Sequence, residues 1–395
     1  MPMHPFPTAV AQRPVLVCLS HLRWDWVYQR PQHLMTRAAS QYRVVFWEEP
    51  ETAPDGTCEA EVRIRLISPG LLIATPLLPS GLDPVQADAA QRFLLDDLLA
   101  GLNQAPAVAW FYTPMALDFA GHLRADVTVF DSMDELSGFS AASPRLPLLE
   151  RRLLRAVDLV FTGGRSLYEA KRGRHGSVHL FPSSVDVAHF GQARGSDRSP
   201  ADQAGIPGPR IGYFGVIDER MDLALLNAVA LQRPDWQLVM VGPVAKIDSA
   251  SLPRAANIHW LGLRSYQDLP LYLSGWNAGL MPFALNDATK FISPTKTPEY
   301  LAAGVPVVST PIADVVRDWA RDGLVGIAGD AAATIVAVER AMSRAHKPWL
   351  LQVDQRLARM SWDVSWEAMQ ELIDIVRSGP SKPTLAAPAG ESSHV

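Results

Sequence analysis

Cysteine is almost absent. Cys18 and Cys58 are the only two in 395 residues, and one of them lies in an apolar run, so no disulfide framework holds this chain and a reduced, cytoplasmic setting is expected. An excess of one charge is missing too: 36 basic and 41 acidic side chains leave a net charge of −5, with no long run of either sign. No nucleic-acid partner is expected from that balance. No window approaches the roughly 18 uninterrupted apolar residues of a membrane span. The opening MPMHPFPTAVAQRP has neither the basic end nor the apolar stretch of a signal peptide. The expectation is a soluble protein, with peripheral contact at the inner face of a membrane left open.

Familiar catalytic signatures are missing as well. The turn after the first apolar run reads SHLRWDW rather than GxGxxG, which excludes the glycine-cradled dinucleotide site of a dehydrogenase. No GxxxxGK[ST], GxSxG or HExxH occurs, so a P-loop, a hydrolase nucleophile elbow and a zincin are excluded. His175 and His179 lack a third ligand and the cysteines are far apart, so no metal site is expected. Asp-x-Asp is also missing. A diphosphate bound here would lack paired carboxylates to hold a bridging cation, and its charge would fall to protein cations and backbone N–H groups.

What is present is alternation. Short runs rich in β-branched and aromatic residues (VLVCL at 15–19, RVVFW at 43–47, AVAWFY at 107–112, VTVFD at 127–131, LVFT at 159–162) are separated by helix-like segments such as RLPLLERRLLRAV. Strands without polar alternation, spaced by helices, predict parallel sheets covered on both faces. After Phe190 comes GQARGSDRSPADQAGIPGPR, a linker by composition, and the pattern then restarts with RIGYFGVI. The predicted organisation is α/β, with two doubly wound, Rossmann-like domains over 1–190 and 210–350 and a linker over 191–209. A helix over 351–377 places Trp362, Trp366, Met369, Leu372 and Ile373 on one apolar side, to close the second domain or cross back to the first. The Pro-, Ser- and Ala-rich stretch 378–395 reads as a disordered tail.

The densest chemistry lies in KFISPTKTPEYLAAGVPVVST, residues 290–310. Thr297 and Pro298 suit an N-cap and first helical position, and Gly304 suits the stop. Lys296 beside a helix N-terminus would form an anion pocket fit for a diphosphate. Glu299 suits ribose hydroxyls. The same order also serves simply as a good helix start with a solvated lysine. In the first half, VFDSMDELSGF puts Asp131, Asp134 and Glu135 at a strand's C-terminal end, where open α/β sheets gather ligands. A carboxylate there would position or deprotonate a hydroxyl, or cap the next helix.

Phe283 to Thr310, with SSVDVAHF at 183–190, resembles the group 1, family 4-like nucleotide-sugar glycosyltransferases of the GT-B fold. The family pattern E-x-x-x-x-G-x-P-V-V is met by Glu299, Gly304, Pro306, Val307 and Val308, and N-G-V-D-x-x-x-F in part by Val185, Asp186 and Phe190. HLRWDWVYQRPQHLM is similar to the W-x-x-x-x-Q-R-P-Q segment of a bacterial branch. The resemblance implies transfer of a sugar from a nucleotide-diphosphate donor on the second domain to a carbohydrate or lipid-linked acceptor on the first. It also implies retention of configuration, a role in surface polysaccharide or glycoconjugate synthesis, and no cofactor or metal. Arg220 and Lys296 would meet the diphosphate, with Gly212 and Gly215 admitting the backbone. Ser293, Thr295, Thr297 and Glu299 would line the donor site, and Arg264 and Tyr266 would serve the base. Trp24 and Trp26 would stack on an acceptor sugar or pack at the domain interface, and Arg30 would meet an anionic acceptor. Asp131 or Asp134 would act as base in an inverting course. Phe291 stands where the family often has a second Glu, which shifts sugar contacts towards Asn286 and Asp287. Alternatives within the same resemblance are a nucleotide-sugar epimerase and a catalytically degenerate nucleotide-binding subunit.

Overall fold

The computed structural model describes residues 6–54, 56–196 and 198–379. The tail read from the sequence lies outside these residues beyond Gly379.

The apolar runs become strands because a run with no polar alternation can be desolvated on both faces only inside a parallel sheet. In the first domain β1 (Val15–Leu19) and β2 (Arg43–Trp47) are buried at every position. They are followed by β3 (Glu51–Thr52), β4 (Glu61–Ser68), β5 (Leu71–Leu78), β6 (Pro106–Phe111), β7 (Val127–Ser132), β8 (Leu159–Thr162) and β9 (Val178–Leu180). The order is β3-β5-β2-β1-β6-β7-β8-β9. All pairings are parallel except that of β4, which lies antiparallel on β5. β4 mixes Arg63 and Arg65 with Ile64 and Leu66 and is largely exposed, a polar edge that discourages strand addition.

The second sheet comprises β10 (Arg210–Phe214), β11 (Gln237–Val241), β12 (Ile258–Gly262), β13 (Ala278–Met281), β14 (Val307–Ser309) and β15 (Val325–Ile327), in the order β12-β11-β10-β13-β14-β15. The winding direction reverses between β10 and β13 here, and between β1 and β6 in the first sheet. Crevices open outside the strand C-termini at such reversals.

The chain crosses between domains earlier than composition suggests. Val185, Phe190, Ala193 and Ile206 all belong to the second domain's core. The segment 191–209 is therefore packed, not free: Gln203 is buried, donates to the Tyr272 carbonyl at 3.0 Å and accepts from the Trp276 indole at 2.8 Å. A polar segment can pack this way because its amide carries both donor and acceptor. At the other end, the helix Trp362–Arg377 crosses back and buries Trp362, Trp366, Met369 and Ile373 against the first domain, in one cluster with Leu34, Phe46 and Trp110.

The domains also bond to one another directly. Asp314, from the second, accepts the Ser166 backbone N–H at 3.1 Å and so caps the first-domain helix Arg165–Lys171. Arg317 pairs with Glu169 at 2.8 Å. Gly138 has no side chain where a Cβ would lie 2.6 Å from the Asp287 carbonyl, so the loop after β7 sits directly on the second domain.

Candidate active site

The two reversal points open onto one another. A cavity of about 610 Å³ between the domains is lined from the first by Trp26 and Gln29, and from the second by Gly215, Arg220, Lys296 and Glu299. A smaller cavity of about 80 Å³ shares Gln29, Arg220, Thr295 and Lys296 and adds Asp134 and Ser293.

Lys296 owes its position to Gly215. That residue has φ of +134°, and a Cβ there would lie 2.2 Å from Lys296 Cε and 2.5 Å from Nζ. Glycine is thus required twice, for the backbone angle and for the space. The ammonium lies 5.5 Å from the centre of the Tyr213 ring. Burial, and then the Arg220 charge, pull its pKa below the ordinary lysine range, while Glu299 works the other way. Glu299 is pushed up by burial and held down by Lys296 and a hydrogen bond from Thr295. Burial thus disfavours both charges; an anion beside Lys296 would restore its ammonium and push Glu299 further up.

Burial works against the charge of Arg220, but its bonds to Asp218 more than offset that and keep it protonated. The guanidinium holds Asp218 by Nε at 3.0 Å and Nη2 at 2.8 Å and lies 5.3 Å from the Phe139 ring centre. The pairing with Asp218 and the cleft position coexist, since the same side chain lines the cavity. Asp134 is half-buried; burial raises its pKa while Arg220, Lys296 and Lys246 lower it. Among the described residues no group of three His, Cys, Asp or Glu side chains is placed to hold a metal ion.

Several expectations change. The short helix runs Lys296–Ala302 with Thr295 at its N-cap, two residues earlier than Thr297–Pro298 suggested. The Thr297 and Glu299 N–H groups are taken by the Pro294 and Thr295 carbonyls at 3.2 Å each, and Pro298 has none, so the anion site rests on side chains more than on the helix end. Thr297 is fully buried with its hydroxyl 3.6 Å from Met281 Sδ; it is core, not lining. Gly212 leaves room for the Trp276 indole, 2.0 Å from where its Cβ would lie, and so serves packing.

On the first domain, Asp131 is fully buried and grips Arg30 at 2.8 Å. Arg30 also donates to the Phe181 carbonyl at 2.8 Å. The pair fixes the loop after β1 to β7 and occupies the Asp131 carboxylate, which counts against Asp131 as a base; Arg30 also lines the smaller cavity. Glu135 pairs with buried Lys171 at 3.0 Å. Trp24 is largely buried, edge-on to Phe46 at 5.1 Å, while Trp26 is 41% exposed on the cleft. Tyr266 lines the cleft but stacks with Tyr28 at 4.5 Å and with His189 at 4.2 Å, so its own neighbours compete with a base for its ring. Arg264 lines the cleft but is engaged by Asp202 at 2.7 Å. Gln29 and Lys246 line the cleft and were missed; Gln29 lay in the quoted W-x-x-x-x-Q-R-P-Q segment, whereas nothing local marks Lys246.

Residues 208–344 match the family of group 1 glycosyl transferases. A Bacillus subtilis (strain 168) protein, TuaH, described as a teichuronic acid biosynthesis glycosyltransferase, is 32% identical over 162 residues, which cover 40% of this chain and 38% of that protein. The whole fold is similar to sucrose-phosphate synthase from Thermosynechococcus elongatus (TM-score 0.68, 16% identity, 92% of this chain and 99% of that one). It is also similar to an E. coli trehalose-6-phosphate protein bound with UDP-2-fluoro glucose (TM-score 0.64, 14% identity, 94% and 100%). The catalytic domain of starch synthase IV from Arabidopsis thaliana, bound to ADP and acarbose, aligns with a TM-score of 0.65 at 10% identity over 93% and 100%. These likenesses establish the architecture as GT-B.

Proposed function

We propose, on the premise that residues 208–344 form a group 1 glycosyltransferase domain, that the chain transfers a sugar from a nucleotide-diphosphate donor to an acceptor hydroxyl. One observation carries this reading. Lys296, Arg220 and Glu299 line a single cavity that the first domain closes with Trp26 and Gln29.

Lys296 and Arg220 hold the diphosphate, and Glu299 accepts from the ribose hydroxyls. The acceptor O–H adds to the sugar's anomeric carbon, the bond from that carbon to the diphosphate oxygen breaks, and the diphosphate leaves with the electron pair. The proton passes to a phosphate oxygen. Cations fixed beside that oxygen stabilise the charge that grows in the transition state, the largest contribution such a site makes. Asp131 is locked by Arg30, which supports a front-side course with retention over one in which Asp131 is the base; Asp134, which lines the cleft, is the carboxylate that an inverting course would use. The protein's own cations supply the counter-charge. The likeness to TuaH supports a role in surface polysaccharide or glycoconjugate synthesis.

The test is a screen of UDP-, GDP-, ADP- and dTDP-sugars for protein-dependent release of nucleotide diphosphate in the presence of EDTA, with Lys296→Ala and Glu299→Ala as controls. Release that both variants abolish supports the reading. No release with any donor, or equal release by the variants, overturns it.

A further inference from the structure

A second chamber, of about 420 Å³, lies in the first domain beside the cleft. Its wall is mostly apolar, with Met115, Leu136, Phe139 and Leu146 among the side chains that face it. It shares His21, Glu49, Leu136, Phe139 and Lys246 with the part of the cleft that holds Arg220. Those shared residues are the seam between the two spaces.

The seam is built from both domains. Lys246 adopts φ of 60°, a left-handed conformation uncommon for a residue with a side chain, and its ammonium lies 4.8 Å from the Phe139 ring centre. Arg220 lies over the same ring. His21 lines both spaces, and its Nδ1 is buried without a hydrogen-bond partner. A buried ring nitrogen left unpaired is unfavourable, and this one belongs to a side chain shared by chamber and cleft, where a ligand hydroxyl could partner it.

The charges in the wall are mainly of one sign: Glu48, Glu49 and Asp88 against Lys246. Glu48 is committed, accepting the Trp24 N–H at 2.8 Å and the Thr75 hydroxyl at 2.6 Å. Glu49 and Asp88 have raised pKa values, chiefly because burial strips their water. Another anion placed among them would meet more negative than positive charge.

We propose that this chamber is the acceptor subsite and takes an uncharged acceptor with an apolar body, seated with its hydroxyl end at the seam beside His21. This rests on the transferase reading, but its test needs no donor sugar. Binding to the full chain is measured by saturation-transfer NMR with four probes: p-nitrophenyl β-D-glucopyranoside, octyl β-D-glucopyranoside, methyl β-D-glucopyranoside and p-nitrophenyl β-D-glucuronide. The first two are expected to bind at least about tenfold more tightly than the last two, with more saturation on the aryl or alkyl protons than on the sugar ring. A preference for the aryl over the octyl probe would identify a ring-shaped body, and the reverse a lipid-like chain. Ala142→Trp, at the chamber wall, is expected to abolish glucoside binding while nucleotide diphosphate binding is unchanged. Glu49→Gln is expected to raise glucuronide affinity. Equal or tighter binding of the glucuronide, deeper saturation of the sugar than of the body, or full binding by the Trp variant would overturn the proposal. If no probe binds while nucleotide diphosphates do, the chamber assignment fails and the transferase reading survives. If neither class binds, both fail.

Discussion

Gly215→Ala separates a site built around Lys296 from one that merely contains it. The new Cβ would fall 2.2 Å from Lys296 Cε, at a backbone φ of +134° that alanine resists, so the lysine must swing away. Strained φ costs about 1–3 kcal/mol, which at 2–4 °C per kcal/mol lowers Tm by roughly 2–12 °C and leaves a folded protein. Loss of a charge-assisted bond to phosphate is worth about 1.5–3 kcal/mol, or a fall of about 10- to 150-fold in affinity for the preferred nucleotide diphosphate. Isothermal titration calorimetry measures it, with circular dichroism to confirm folding. The decisive comparison is a cycle with Lys296→Ala: once the ammonium is gone, adding Gly215→Ala has nothing further to displace. Unchanged affinity in Gly215→Ala, or full additivity in the double variant, would refute the claim that Gly215 acts by placing Lys296.

Four further outcomes are expected. Because burial and Arg220 depress the Lys296 pKa, its charge is lost at lower pH than an ordinary lysine's, so nucleotide diphosphate affinity should fall in the mildly alkaline range; Lys296→Arg should move that limb to higher pH in a binding titration. His33, packed flat against Trp362 at 4.6 Å, is held neutral by burial with its pKa lowered from 6.5 to about 3. The unfolded chain takes up that proton first, so stability should decline below pH 6.5 by up to about 1.4 kcal/mol per pH unit from this group, and urea titrations of His33→Gln should show a shallower acid limb. Asp314→Ala removes a cap shared between domains and should cost about 0.5–2 kcal/mol, with a larger radius of gyration by small-angle scattering. Trp362→Ala should cost about 3–5 kcal/mol and make the C-terminal helix a site of limited proteolysis.

The strands and their parallel pairing were legible because fully buried runs such as VLVCL have few other solutions. That Glu299, Lys296 and Arg220 would come together was legible from a motif and from the place of a turn after a strand, and they line one cavity. The exact helix start was not: Thr-Pro is a strong local signal, yet tertiary packing buried Thr297 and moved the N-cap to Thr295. Asp131 and Asp134 looked equivalent three residues apart; only the Arg30 partner, 101 residues away, tells them apart. The seam of His21, Phe139 and Lys246 draws on three distant segments with no common period, so it becomes visible only once the domains are set against each other.

The aromatic stack around Tyr266 has a mechanical consequence. His189 belongs to the first crossing between the domains and Trp362 to the second, and Tyr266 and His33 connect them ring to ring. Two crossings joined ring to ring at one place act as one connection rather than as two independent tethers, so a change at any of the four rings bears on both.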